Sequence, residues 1–187
     1  MRLFGQVSLF LVFCFVLEAQ EKRAFEFKSP VVRESVFKEV GMTTRERDEY
    51  ASSLAIFTGN EIIRRKASAE SLAFARRALA LALHLSSRNK RAVILNFQLG
   101  KGVMPKEAEV QYSPNTLATL FVTRADLLYQ QKGDSNRLLA RCLIDLAVTM
   151  DPRNEDAVYA YEMQKIDLGE VPWGPIVDTP KPEVPNP

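Results

Sequence analysis

From Thr43 onward, apolar residues recur at helical rather than strand spacing. Tyr50, Leu54 and Phe57, with Ala51, Ala55, Thr58 and Ile62 beside them, share one face of a helix. Thr43-Thr44-Arg45-Glu46 supplies its start, Thr43 as N-cap and Glu46 reaching back as in a capping box. Gly59 is its weak point. Behind Ser68, a second helix is predicted from Ala69 to about Leu85, rich enough in Ala for a neighbouring helix to come close. Ser86-Ser87-Arg88-Asn89 breaks it, and Lys90 to Leu99 forms a third helix ending at Gly100. Lys101 to Tyr112, with Gly102 and Pro105, reads as a loop. Ser113-Pro114 is an N-cap followed by proline at the first helical position, and opens a fourth helix to about Lys132. Gly133-Asp134-Ser135 ends that helix and caps a fifth, which reaches Met150. Asp151-Pro152 precedes a sixth, Asn154 to Leu168, closed by Gly169. No run alternates with a period of two. The pattern predicts an all-α domain over residues 43–170.

The flanks follow different rules. Residues 1–19 hold Arg2, a nine-residue apolar run from Leu9 to Leu17, and Ala19 before a charged stretch. That run is shorter than the roughly 20 residues needed to cross a bilayer. It has the form of a secretory signal peptide, with cleavage expected after Ala19. An uncleaved membrane anchor is the alternative, because Leu17 is large for its place in a cleavage site. Residues 20–42 keep neither helical nor strand periodicity and read as a tether whose apolar side chains are available for docking. Residues 171–187 form a Pro-rich tail, expected to be extended rather than helical, with Trp173 packed back on the last helix pair.

The predicted helical domain contains a repeat. Shifting the chain by 65 positions aligns Ala75–Val93 with Ala140–Val158 without a gap, and eight of the 19 pairs are identical. Ala75-x3-Leu79-x2-Ala82 and Ala140-x3-Ile144-x2-Ala147, the latter followed by Pro152, resemble the second helix of a tetratricopeptide repeat. Gln131-Lys132-Gly133-Asp134 resembles the turn inside such a repeat. Ser87 departs from the pattern where a proline is expected, as do Phe97 and Glu162 where a small residue is usual. The resemblance covers roughly residues 45–170. It implies antiparallel helix hairpins stacked as a short, right-handed α-solenoid, and a role in binding proteins or peptides.

Candidate chemistry is sparse. His84 is the only imidazole, and its place near a helix end suits a partly exposed side chain favoured by the helix dipole. Cys142 lies in an apolar helical run and reads as a small buried hydrophobe. No metal-ligand, phosphate-loop or nucleophile motif occurs, so neither catalysis, cofactor, metal nor small-molecule substrate is expected.

Charge adds one feature. The +2 total conceals eight basic and two acidic residues over 61–100, against eight basic and 13 acidic over 106–187. Arg64, Arg65, Arg76, Arg77, Arg88 and Arg91 are therefore the candidate partner-binding residues. Aromatic residues do not interleave with them, which argues against nucleic acid. The sequence reading is an exported scaffold, periplasmic or secreted, that binds a protein or peptide. The alternative is a membrane-anchored structural or assembly component of the cell envelope.

Overall fold

The computed structural model describes residues 25–180. The export segment expected over 1–19 and the final prolines from Pro182 lie outside the described residues. Six long helices appear in the predicted order: α1 (Thr44–Arg64), α2 (Ala69–Leu85), α3 (Lys90–Gly100), α4 (Pro114–Gln131), α5 (Asp134–Met150) and α6 (Glu155–Leu168). Helix starts obey local capping chemistry. Glu46 N–H donates to the Thr43 hydroxyl, and the Glu46 carboxylate accepts from Thr43 N–H at 2.8 Å, completing the capping box. Ser68, Asn89, Ser113 and Asn154 cap α2, α3, α4 and α6 through their side chains.

One expectation about helix starts needs correction. α5 begins at Asp134 itself, with Gly133 at φ +85° and no side-chain cap. Asn136, one turn in, donates instead to the Lys132 carbonyl at 2.7 Å and accepts from Gly41 N–H at 2.8 Å. Gly59 does not interrupt α1. It is buried opposite Leu95, and tertiary packing carries the helix through it to Arg64.

The most extensive packing joins α1 to α2 and α4 to α5, and a third helix lies against each pair. These two three-helix units follow the 65-residue offset closely. α2 and α5 start and end 65 residues apart, as do the starts of α3 and α6. The residues that close α2 and α5 have nearly the same backbone: φ −147°, ψ 93° at Ser86 and φ −141°, ψ 92° at Asp151. Asn89 accepts from Ala92 N–H while its amide donates to Ser52 Oγ on α1 at 2.7 Å. Asn154 accepts from Ala157 N–H and donates to Thr119 Oγ1 on α4 at 2.9 Å. Each asparagine thus caps the third helix of its unit and ties it to the first. The sequence repeat is a structural one.

Where the units meet, Tyr50 of α1 stacks on Phe121 of α4 with centroids 5.3 Å apart. Arg124 of α4 donates to the Glu46 carboxylate at 2.8 Å. Leu54, Ile62, Leu79, Leu81, Leu99, Phe121, Leu128, Leu139, Leu143 and Leu146 are fully buried in the core. Each such side chain contributes on the order of 1.5–3 kcal/mol by leaving water.

The flanks are part of this body. Phe37 is fully buried, and Phe27, Met42, Val171, Ile176 and Val177 are buried with it. Val31 and Asp178 form an isolated parallel bridge. Val31 N–H donates to the Val177 carbonyl at 2.9 Å, and Thr179 N–H donates to the Val31 carbonyl at the same distance. The tail is not wholly extended, as the sequence had suggested, because Trp173–Val177 makes one turn of helix, α7. Pro175 fits there, since the N–H it lacks belongs to a first turn that has no intrahelical acceptor.

Candidate functional site

The six candidate arginines do not converge. Arg64 and Arg65, at the end of α1, both bind the Glu61 carboxylate, and Arg65 also reaches Glu70 at 2.8 Å. Burial alone would raise the Glu61 carboxyl, but hydrogen bonds from these two guanidiniums outweigh it and hold it below the usual range. Arg76 donates to both carboxylate oxygens of Asp178, at 2.7 and 2.6 Å, and to the Lys28 carbonyl at 2.9 Å. Arg77 donates to Asp145 at 2.7 Å and lies 5.7 Å from the centre of the Trp173 ring system. Among the described residues, Arg88 and Arg91 are exposed and have no carboxylate partner. Arg76 and Arg77 therefore tie distant segments together, Arg64 and Arg65 pair locally at the end of α1, and Arg88 and Arg91 are left for solvent or a partner.

α2 is the spine on which both flanks are fastened. Arg76 joins them near its middle, and His84 joins them near its end. His84 is only 2% exposed, so the partly exposed site expected for it is not what the fold provides. Its Nε2–H donates to the Ile176 carbonyl at 2.7 Å, and its Nδ1 accepts from Val36 N–H at 3.3 Å. A carbonyl can only accept and an amide N–H can only donate, so this pair of partners selects the neutral Nε2–H tautomer. The Phe37 ring meets the imidazole edge-on at 5.4 Å. Burial pushes the His84 pKa down, with the Ile176 carbonyl opposing it. His84 is thus a buried structural bridge.

Asp145 is the group that sequence reasoning missed. It lies on the buried face of α5 and receives hydrogen bonds from Arg77 and, at 3.0 Å, from Trp173 Nε1. Burial raises its pKa, and the guanidinium and indole only partly offset this. The signal was present: Leu143-Ile144-Asp145-Leu146-Ala147 puts a carboxylate inside an apolar run. Cys142 next to it is fully buried, and burial pushes its thiol far up, away from the reactive thiolate. Among the described residues, no three of His, Cys, Asp and Glu gather where they could hold a metal ion.

Concave surface occurs between the first and third helices of each unit. The α1/α3 groove, of about 520 Å³, is lined by Ile56, Ile94 and Leu95, with Lys90, Arg91 and Lys106 among its charges. The 101–113 loop runs along it, held where Asn60 exchanges two hydrogen bonds with the backbone of Ala108, at 2.8 and 2.9 Å. The α4/α6 groove is larger, about 650 Å³, and no comparable loop among the described residues lines it. Val122, Tyr129, Ile144, Tyr159, Met163 and Leu168 form its apolar surface, and Asp126, Asp156 and Asp167 its charge. Among the described residues, none of these three carboxylates is in an ion pair. Equivalent places in the two units therefore carry opposite charge.

No helix among the described residues is long and apolar enough to cross a membrane. No protein-family model, no curated protein and no solved structure matches this chain.

Proposed function

We propose that the chain is an exported, tetratricopeptide-like scaffold without catalytic activity, whose stacked helix pairs form a short right-handed solenoid that binds a protein or peptide. The observation carrying this reading is the α4/α6 groove. It combines exposed apolar and aromatic side chains with three carboxylates that are unpaired among the described residues, in a concave channel between two helices. Repeated helical units build extended concave surfaces of this kind. The partner segment such a groove suits is apolar with basic residues, docked lengthwise. The basic patch first indicated by the sequence is the weaker seat, because Arg64, Arg65, Arg76 and Arg77 already have intramolecular partners.

A photo-crosslinking residue placed at Met163, and separately at Arg91, compares the two seats in intact cells. A discrete adduct at Met163 that disappears with Asp126→Lys/Asp167→Lys supports the groove. Adducts only at Arg91 move the site to the basic end, and none at either position removes the binding reading. The rival, a membrane-anchored envelope component, draws on the apolar run over Leu9–Leu17. Mass spectrometry of the cellular protein separates the two readings. A start at Gln20 excludes the anchor, whereas an intact Met1 excludes cleavage.

A further inference from the structure

Among the described residues, the third helices of the two units each leave an outer stripe uncovered. On α3, Lys90, Ile94, Phe97 and Lys101 follow one another at helical spacing, Lys101 being the residue that closes the helix. On α6, the positions 65 residues later are Glu155, Tyr159, Glu162 and Ile166. These stripes are open to solvent to a degree unusual for such side chains: Phe97 is 66% exposed, Ile94 46%, Tyr159 70% and Ile166 75%. Large apolar groups held in a row on a rigid helix mark a contact surface more often than scattered ones do.

The charges on the two stripes are complementary. Lys90 and Lys101 bracket the apolar pair on α3, while Glu155 and Glu162 alternate with the apolar residues on α6. None of these four side chains is in an ion pair among the described residues. The nearest opposing charge on α6, Lys165, is held by Glu170 at 3.0 Å. Helix stability does not explain the arrangement on α3. Its first turn has no acidic residue and carries Lys90 and Arg91, cations at the positive end of the helix dipole. α6 has the favourable pattern, Glu155 and Asp156 in its first turn.

We infer that the α3 stripe of one copy docks on the α6 stripe of a second copy of this chain. Laid antiparallel, Lys101 faces Glu155 and Phe97 covers Tyr159, while Lys90 lies one turn from Glu162 and Ile94 one turn from Ile166. The contact joins different surfaces of the two copies, so it propagates head to tail unless the rotation closes a ring. α3 is 11 residues long, about 16 Å, and so short a helix-on-helix contact buries less than the roughly 1,200 Å² of stable interfaces. The association is weak, with a dissociation constant of about 10–100 µM, and sensitive to salt. Tyr159 belongs to both this stripe and the α4/α6 groove, so a segment bound in that groove competes with the contact.

Analytical ultracentrifugation of the expressed chain, at low and high salt, tests this with reversed charges. The average mass of the wild type should rise with concentration and fall back when salt is added. Lys90→Glu/Lys101→Glu makes both stripes acidic, and Glu155→Lys/Glu162→Lys makes both basic. Each should weaken self-association by about tenfold or more. An equimolar mixture of the two variants should associate again, as should the chain carrying all four reversals. The last two samples also guard against loss of folding, which could not restore association. A wild type that stays at the mass of one chain up to about 1 mM overturns the proposal. So does association that survives either reversal, which places the contact elsewhere, or a mixture that stays monomeric.

Discussion

A buried imidazole with one donor and one acceptor partner makes the protein sensitive to mild acid through a single residue. His84 is the only histidine, so the window just below neutrality reports on it alone among the side chains at their ordinary values. Its pKa is lowered in the folded state, so below about 6.5 the unfolded chain takes up a proton that the native site refuses. Stability is therefore complete above that value and declines as pH falls from it through the folded-state pKa. Urea unfolding should show this decline between about pH 7.5 and 5.5. His84→Phe should flatten the slope while lowering stability at neutral pH by about 1–3 kcal/mol through the two lost hydrogen bonds. A slope unchanged in that variant would assign the pH dependence to another group. Arg77 and Asp145 show the same principle from the opposite side: the carboxylate stays raised by burial even with a guanidinium beside it, so breaking that pair would strand a buried charge.

Among the helices, Gly59 and the paired asparagines are the positions where a single side chain decides most. A methyl group added at Gly59 would meet Leu95 at 3.7 Å and Pro105 at 4.0 Å, both ordinary contacts. Gly59→Ala should therefore raise stability by about 0.5–1 kcal/mol, seen as a higher melting temperature, through the reduced freedom of the unfolded chain. Asn89→Ala and Asn154→Ala should both destabilise, but unequally. Asn89 donates to the Asp48 carboxylate at 3.0 Å and to Ser52 at 2.7 Å. Beyond Thr119, Asn154 reaches only the Asn115 carbonyl, at 3.5 Å. About 2 kcal/mol is expected for Asn89→Ala and about 1 kcal/mol for Asn154→Ala, measured by chemical denaturation. Equal losses would mean that the cap alone matters and the tie to the first helix does not.

At the scale of the whole molecule, two chain segments far apart in sequence close the fold on α2. The bridge between Val31 and Asp178, the Arg76 contacts to Lys28 and Asp178, and the His84 contacts to Val36 and Ile176 act together. Removing residues 171–187 should release residues 25–42 as well, because Val31 loses its bridge and His84 and Arg76 lose half their partners. A lower melting temperature and faster tryptic cleavage at Lys28 and Arg33 are the expected signs. Unaltered protection of those two sites after truncation would show that the N-terminal flank holds to α2 without its partner.

Helix boundaries, the 65-residue repeat and the all-α class were legible in the chain because they rest on local physics. A serine, threonine or asparagine satisfies an N–H two or three residues away, and apolar spacing marks a face wherever that face is later buried. Thr43, Ser68 and Ser113 therefore announced their helices before any contact was known, whereas Asn89 read as part of a break and Asn154 as a first helical residue. The partners of Arg76 and Arg77, the burial of His84 and the docking of the flanks were not legible. They depend on residues brought together across 48 to 146 positions of chain, as in the Lys28–Arg76 and Arg33–Thr179 contacts, and no local pattern specifies such pairs. The sequence by itself determined which segments are helical and that they repeat. Only the tertiary structure decided which charges are used up inside the fold and which remain on its surface, because a charge's role depends on what lies within a few ångströms of it.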